Sequence, residues 1–452
     1  MRIPARLTLV AGACLALLSL VFSYGVAVGR LQLFPYAEIR ALRRLVFQSH
    51  DGQYGRWYKT REAKDLVSRK GGGLAELSAL GYLGGYEPAQ ETGGAIMYDR
   101  SRVSDGLTLF SSGHAPVAYL ISLDGEVVHK WEIHFEELWS RDLPFKTSDE
   151  HKQFIRRAHV FPNGDLLAVF EYIGIFKLDR DSNVLWKIQN QSHHDFAVAS
   201  DGSIVTLIRR HLTRKELERR YPGFEPPYNG ILDDQVAILD SCGVELKKIS
   251  LLEAFYRSEY APFLSSMQSR EDLFHANSVD IVERCHGQSA IAVGEILISL
   301  RKPNAIVSVD IEVGRVSWML SGMWIGQHQA QLLGNGNILL LDNRGGNKQT
   351  PLKLDHSEVI EIDPLTQEVV WRYAGSDESP FFTHQLGYVQ RLPNGNTLVT
   401  ESTQGRIFEV TTDGRKVWEY SSPHRAGDDS GLIATVMGAQ RVGTEDLGFL
   451  ER

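Results

Sequence analysis

Three histidines stand at the heads of strand-like hydrophobic runs: His194 in HDFAVASDG, His275 in HANSVDIV and His328 in HQAQLLGNGNILLLDN. His194 lies seven residues before Asp201, and His328 lies seven before Asn335, each of which opens a turn with glycine. His275 heads the run between them, where the turn is replaced by ERCHGQSAIAVG. A neutral imidazole with a pKa near 6.5 can act as a nucleophile, a proton carrier or a metal ligand. A histidine at a strand end can also do no more than hydrogen-bond a neighbouring backbone group. Three in successive units are harder to read that way, because Arg156 and Gly387 occupy the equivalent places elsewhere and His159 and His384 fall three residues off. Asn277 follows His275 by two residues and so faces the same side of a strand. Arg301 opens RKPNAIVSVD, the next part of the same unit. A metal would require three ligands about 2 Å from one ion and would avoid the arginine. A planar guanidinium and an amide beside histidines suit a tetrahedral oxyanion instead.

The elements that must position these residues are repeats, and repeats are sought first. LDGEVVHKW ends at Trp131, LDRDSNVLW at Trp186, VDIEVGRVSW at Trp318, IDPLTQEVVW at Trp371 and VTTDGRKVW at Trp418. LDSCGVELKK is a sixth copy without the tryptophan. Each is a strand, a polar turn and a second strand, the pattern of a hairpin. HVFPNGDLLAVF, HDFAVASDGSIVTLI, HQAQLLGNGNILLLDN and GYVQRLPNGNTLVTES supply opening hairpins. Two hairpins make a four-stranded antiparallel blade, so the expected fold is all-β, a six-bladed β-propeller. Units are expected at about 114–133, 159–188, 194–251, 275–320, 328–375 and 384–420. Short strands also build β-helices and sandwiches, but a recurring two-hairpin unit closed by tryptophan favours a propeller. The tryptophans are expected to pack blade against blade. The first strands then line a central channel, and the three histidines share one level of it. Long inserts at 209–230 and 251–274 are expected on one face, over a site. RRHLTRKELERR is read as a solvated helix rather than a basic patch.

The chain has 452 residues, 43% of them hydrophobic, and a formal charge of −8. That is globular and offers no concentrated basic face for nucleic acid. Residues 7–29 carry no charge and follow the basic MRIPAR. A helix of that length crosses a ~30 Å hydrocarbon core. Residues 1–30 are therefore a signal anchor, or a signal peptide cleaved after GVA at 25–27. Either reading sends the chain out of the cytoplasm, as an exported or periplasmic protein, and the anchor tethers it to the membrane. Residues 31–95 read as a helical juxtamembrane linker and 96–452 as the propeller. Cys14 lies in the apolar run, and Cys242 and Cys285 are either a pair or two lone thiols.

LFHANSVDIV, SLRKPNAIVSVD, GQHQAQLLGNGNILLLDN and GYVQRLPNGNTLVTES, in that order, resemble the bacterial arylsulfotransferases. These are exported six-bladed propellers that move a sulfuryl group between phenols without a nucleotide donor. The resemblance covers about 114–423 and is best in 270–423. It implies an aryl sulfate donor, a phenolic acceptor, ping-pong transfer and no metal or organic cofactor. By position, His328 matches the family's nucleophile, which becomes a sulfohistidine. His275, Asn277 and Arg301 match residues around the sulfuryl group, and His194 matches a further channel histidine. Thr383 and Thr403 are candidates for the family's last-blade hydroxyl. The best-known members carry an N-terminal β-sandwich, where this chain has the apolar segment and linker. Two other classes stand beside this one. A quinone-cofactor dehydrogenase would have eight blades and acidic metal ligands in the channel. A non-catalytic anchored propeller would bind a protein or small-molecule partner on its top face. The resemblance does not imply an oligomeric state.

Overall fold

Alternating strands joined by turns that need a positive φ give six antiparallel sheets around one axis. The computed structural model describes residues 87–88, 93–145, 147, 149–267, 271–284, 289–344, 354, 356–426 and 431–450. Residues 1–30, most of the expected linker, Cys14 and Cys285 lie outside the described residues. No helix among the described residues is long and apolar enough to cross a membrane. Cys242 is exposed and free.

Blades 2 to 6 each run outward from the channel in chain order. Their innermost strands are Arg157–Val160, Ser192–Val198, Ala276–Ile281, His328–Leu332 and Tyr388–Arg391. Blade 1 is built differently. Its three outer strands are Leu107–Ser112, Val117–Ile121 and Val127–Glu132, and its innermost strand, Val436–Val442, comes from the far end of the chain. This is why the first repeat has a closing hairpin but no opening one in the sequence. Strand Gly94–Tyr98 adds a fifth, outer strand to blade 6 by pairing with Lys416–Ser421.

The tryptophans join neighbouring blades, as their recurrence suggested. Trp371 Nε1 donates to the Thr412 carbonyl of blade 6 at 2.8 Å, and Trp418 Nε1 donates to the Leu123 carbonyl of blade 1 at 2.8 Å. Strand register shows which residues replace tryptophan elsewhere. Trp186, Trp318, Trp371 and Trp418 all stand opposite the residue of the preceding strand that lies just before its register shift, at Lys177, Ser308, Glu361 and Glu409. In blade 1 that place belongs to His129, opposite Leu120, and in blade 3 to Lys247, opposite Ile238. His129 Nε2 bonds the Arg180 carbonyl at 2.8 Å, and Lys247 Nζ bonds the Glu312 carbonyl at 3.1 Å. The bond to the next blade's outer turn thus survives without the tryptophan. Trp131 sits two residues further on and docks instead on Gly164 at 3.0 Å.

Trp418 is fully buried on the seam between the last and first blades. Trp418→Ala is expected to cost about 3–5 kcal/mol, read by chemical denaturation, from a cavity that aligned strands cannot collapse into. A loss below about 1 kcal/mol would show that the seam is held by other contacts.

Both inserts lie at one end of the blades, but RRHL of the first extends strand Ile204–Leu212, so only its second half is helix. Helix Arg214–Arg220 exposes its charges, buries only Leu217 and is capped by Thr213 and Glu216 in a reciprocal box. Helix Leu251–Tyr256 buries Leu251, Leu252, Ala254 and Phe255 in the seam between blades 3 and 4. The two inserts meet where Leu232 N–H donates to the Glu271 carbonyl at 2.5 Å. Both leave the blades at the end where His194 and His275 lie, opposite the Asn-Gly and Asp-Gly turns.

Candidate active site

The heads of the inner strands are irregular, and the irregularity aims the side chains. His194, His275 and Gln329 have φ values of 55°, 51° and 48°, in a region that non-glycine residues rarely adopt. His194 and Gln329 fall inside register shifts against the second strand of their blades, and His275 immediately precedes one at Ala276–Ser278. Such bulges turn a strand end and re-aim a residue. In blades 3 and 4 the histidine itself is the left-handed residue. In blade 5 it is the residue after His328.

His328 is 3% exposed. Its Nδ1 lies 2.6 Å from Asn343 Oδ1 and 3.1 Å from the Gly326 carbonyl. Asn343 cannot present its nitrogen there, because Nδ2 already donates to the carbonyls of Thr383 and Leu386 at 2.7 and 2.8 Å. Both neighbours of Nδ1 are therefore acceptors, so Nδ1 carries the proton and Nε2 carries the lone pair. Burial lowers the His328 pKa well below its ordinary value, followed by the charge of Arg301, with Arg156 and His275 adding to it. The order matters: the protein interior, more than Arg301, keeps this ring neutral.

His275 Nδ1 donates to Asp272 Oδ2 at 2.8 Å, and Lys302 Nζ lies 2.8 Å from the same oxygen. Burial alone would raise the Asp272 carboxyl, but His275 and Lys302 outweigh it and hold it well below its usual range. The His194 and His275 rings meet edge to face with centroids 5.0 Å apart. His194 Nδ1 sits 2.9 Å from His193 Nδ1 and 3.5 Å from Glu171 Oε1. Burial lowers the His194 pKa strongly, and His193, His275, Arg156 and His328 all add to the effect. Behind it, His193 is held down to about 3 by burial and then by Arg209, whose guanidinium lies 3.5 Å from the Tyr172 ring centre.

The structure thus brings His328, His275, His194 and Arg301 into mutual electrostatic reach. Arg301 also lowers His384, after burial, to about 4, which places that off-register histidine beside the same cluster. Asn277 is 4% exposed, and its Nδ2 donates to the Gln327 carbonyl at 2.8 Å, immediately before His328. Its Oδ1 is buried with no hydrogen-bond partner among the described residues. The Asn277 amide therefore ties blade 4 to the backbone that carries His328. Thr383 donates to the Gln385 carbonyl, and Thr403 donates to Thr383 Oγ1, so both hydroxyls lie in the layer behind Asn343.

Two contributors were not picked out from the sequence. Arg156 is 5% exposed, donates to Glu171 Oε1 and to the Met437 carbonyl at 3.3 Å each, and acts on both His328 and His194. Its signal was its place in the histidine register. Asn343 had none, since it lies fifteen residues from His328 at the end of the next strand. His159 lies elsewhere, on the wall of a cavity of about 600 Å³ at the turn end of the channel.

Buried imidazoles, one with its proton placed on Nδ1 by two acceptors, thus stand within electrostatic reach of Arg301 and Arg156. Residues 158–423 match the family described as "Arylsulfotransferase (ASST)". No curated protein matches the chain. Among solved structures, a protein of unknown function from Bacteroides caccae is 11% identical, over 74% of this chain and 98% of that one, with a TM-score of 0.47. A streptogramin B lyase is 11% identical, over 78% and 94%, with a TM-score of 0.41. Virginiamycin B lyase from Staphylococcus aureus is 10% identical, over 75% and 88%, with a TM-score of 0.38.

Proposed function

The chain belongs to the arylsulfotransferase family, and from that premise we propose that it moves a sulfuryl group from an aryl sulfate to a phenol through a sulfohistidine at His328. The observation that carries the reading is the fixed tautomer of His328, with Nδ1–H bound by Asn343 and Gly326. In the first half-reaction the Nε2 lone pair attacks sulfur, an N–S bond forms and the S–O bond to the aryl group breaks. The departing phenolate takes a proton from His275. Positive charge on that ring is stabilised by the Asp272 carboxylate at Nδ1. In the second half-reaction an acceptor phenol returns its proton to His275 as its oxygen attacks sulfur. The N–S pair then goes back to Nε2. Arg301 supplies positive charge for the sulfuryl oxygens, while Arg156, paired with Glu171, helps to keep His328 neutral. Asn277 holds the backbone that presents His328. His194, kept neutral, fills the ring beside His275 and can relay a proton toward it. The uncharged segment 7–29 supports a site of action outside the cytoplasm, at the membrane.

Two displacements at one nitrogen predict a covalent intermediate. Full-length protein given 4-nitrophenyl sulfate without acceptor is expected to gain one SO₃ group in intact mass and release one equivalent of 4-nitrophenol. Adding a phenol should then remove the group. Release of 4-nitrophenol with no mass gain, or no release at all, would overturn the mechanism. Because the folded His328 pKa lies well below 6.5, the first half-reaction should show no His328 titration between about pH 8 and pH 6.

A further inference from the structure

Sulfuryl transfer leaves unexplained a cavity of about 600 Å³ at the turn end of the channel. None of His194, His275, His328 or Arg301 lines it. Its charged groups are mostly used within the protein. Arg157 pairs with Asp195 at 2.9 Å and donates to the Tyr388 hydroxyl at 2.7 Å. Arg391 pairs with Glu361 at 2.7 Å. Arg391 Nε and Gln440 Oε1 are buried on this wall with no hydrogen-bond partner among the described residues, and two further groups bear on the choice of ligand. Asp280 accepts the Leu332 N–H at 2.8 Å through Oδ2 and has no cation at ion-pair distance among the described residues. Gln329 is 7% exposed, strained in the left-handed region, and its side-chain amide has no hydrogen-bond partner among the described residues.

That inventory selects a ligand class. Both guanidiniums are charge-compensated, by Asp195 and Glu361, so an anion meets no net positive charge, although Arg391 Nε is buried without a hydrogen-bond partner among the described residues. A hard metal ion needs six or more oxygen ligands, which one carboxylate and one amide do not supply. A single carboxylate with no cation beside it matches an ammonium group, which offers three donors and one charge. Leu332, Leu333 and Val198 give apolar wall for a carbon body, and the volume is that of an ordinary small-molecule site. We propose that this mouth of the channel is a second binding site, which takes a small organic amine with its ammonium on Asp280 and Gln329 on the same wall. The site is independent of sulfuryl transfer.

Burial pushes the Asp280 carboxyl up to about 7, against the Leu332 and Ile281 N–H groups and with the charges of Asp195 and Glu283. Across the cavity, Arg157 and Arg391 are paired, and His159 is held neutral, first by burial, at about 4. An ammonium prefers the ionised carboxylate, so its affinity should rise from about pH 6 to pH 8.

The test is calorimetric titration of the full-length chain with ethanolamine, putrescine, spermidine and glucosamine, and with ethylene glycol and glucose as uncharged counterparts. At least one amine is expected to bind at pH 8, and about tenfold more weakly in Asp280→Asn. Gln329→Ala should weaken it severalfold, which keeps the test open if Asp280→Asn folds poorly. His328→Asn should bind it as wild type does, so loss of the transfer reading leaves this result untouched. No binding of any amine at about 10 mM, equal binding of an uncharged counterpart, or unchanged affinity in both cavity variants would overturn the proposal.

Discussion

Replacing His328 by asparagine should lower transfer from 4-nitrophenyl sulfate to a phenol by at least about 10³-fold and remove the SO₃ adduct. The reason is chemical rather than structural. The proposed transfer uses one nucleophilic atom, Nε2, and among the described residues no neighbouring side chain offers a second nitrogen with its lone pair fixed by two acceptors on the other side of the ring. Asparagine is polar and fits within the space of the 3%-exposed imidazole, so the blade should remain folded. Denaturation within about 1 kcal/mol of wild type checks that point. Turnover within tenfold of wild type would show that the sulfuryl group never passes through this residue.

Asn343→Leu should lower kcat by about 10²-fold with little change in KM for the donor. Without the Asn343 oxygen, the imidazole keeps only the longer contact to the Gly326 carbonyl, so the tautomer with its proton on Nε2 becomes populated and cannot attack. A directly readable signature follows. With ¹⁵N-histidine labelling, the wild-type His328 signal should be that of the Nδ1–H tautomer, and the variant should show a mixture. Asn343→Asp keeps an acceptor at Nδ1 but loses the donors to Thr383 and Leu386. It should therefore restore the tautomer and much of the rate while remaining less stable. If Asn343→Leu and Asn343→Asp lose rate equally with the same tautomer as wild type, Asn343 only holds the loop.

Local pattern was enough for much of this protein. Strand alternation, the Asn-Gly and Asp-Gly turns and the spacing of Trp186, Trp318, Trp371 and Trp418 are set by neighbouring residues, so six blades could be counted from the chain alone. The same turns served as a ruler that brought out His194 and His328. The ruler worked although bulges intervene, because the inner strands of His194 and His328 have their irregularity at the same end.

What only the tertiary structure decided are the partners reached across blades. Blade 1 takes its inner strand from Val436–Val442, and His129 and Lys247 stand in for tryptophan through bonds to carbonyls of the next blade. The proton position on His328, the carboxylate behind His275 and the approach of Arg156 depend on Asn343, Asp272 and Glu171. The sequence by itself determined which residue types face the channel, since side-chain direction in a strand alternates with a period of two. It could not determine which nitrogen is free, because that rests on hydrogen bonds shorter than 3 Å, and one left-handed residue in a bulge is enough to redirect them.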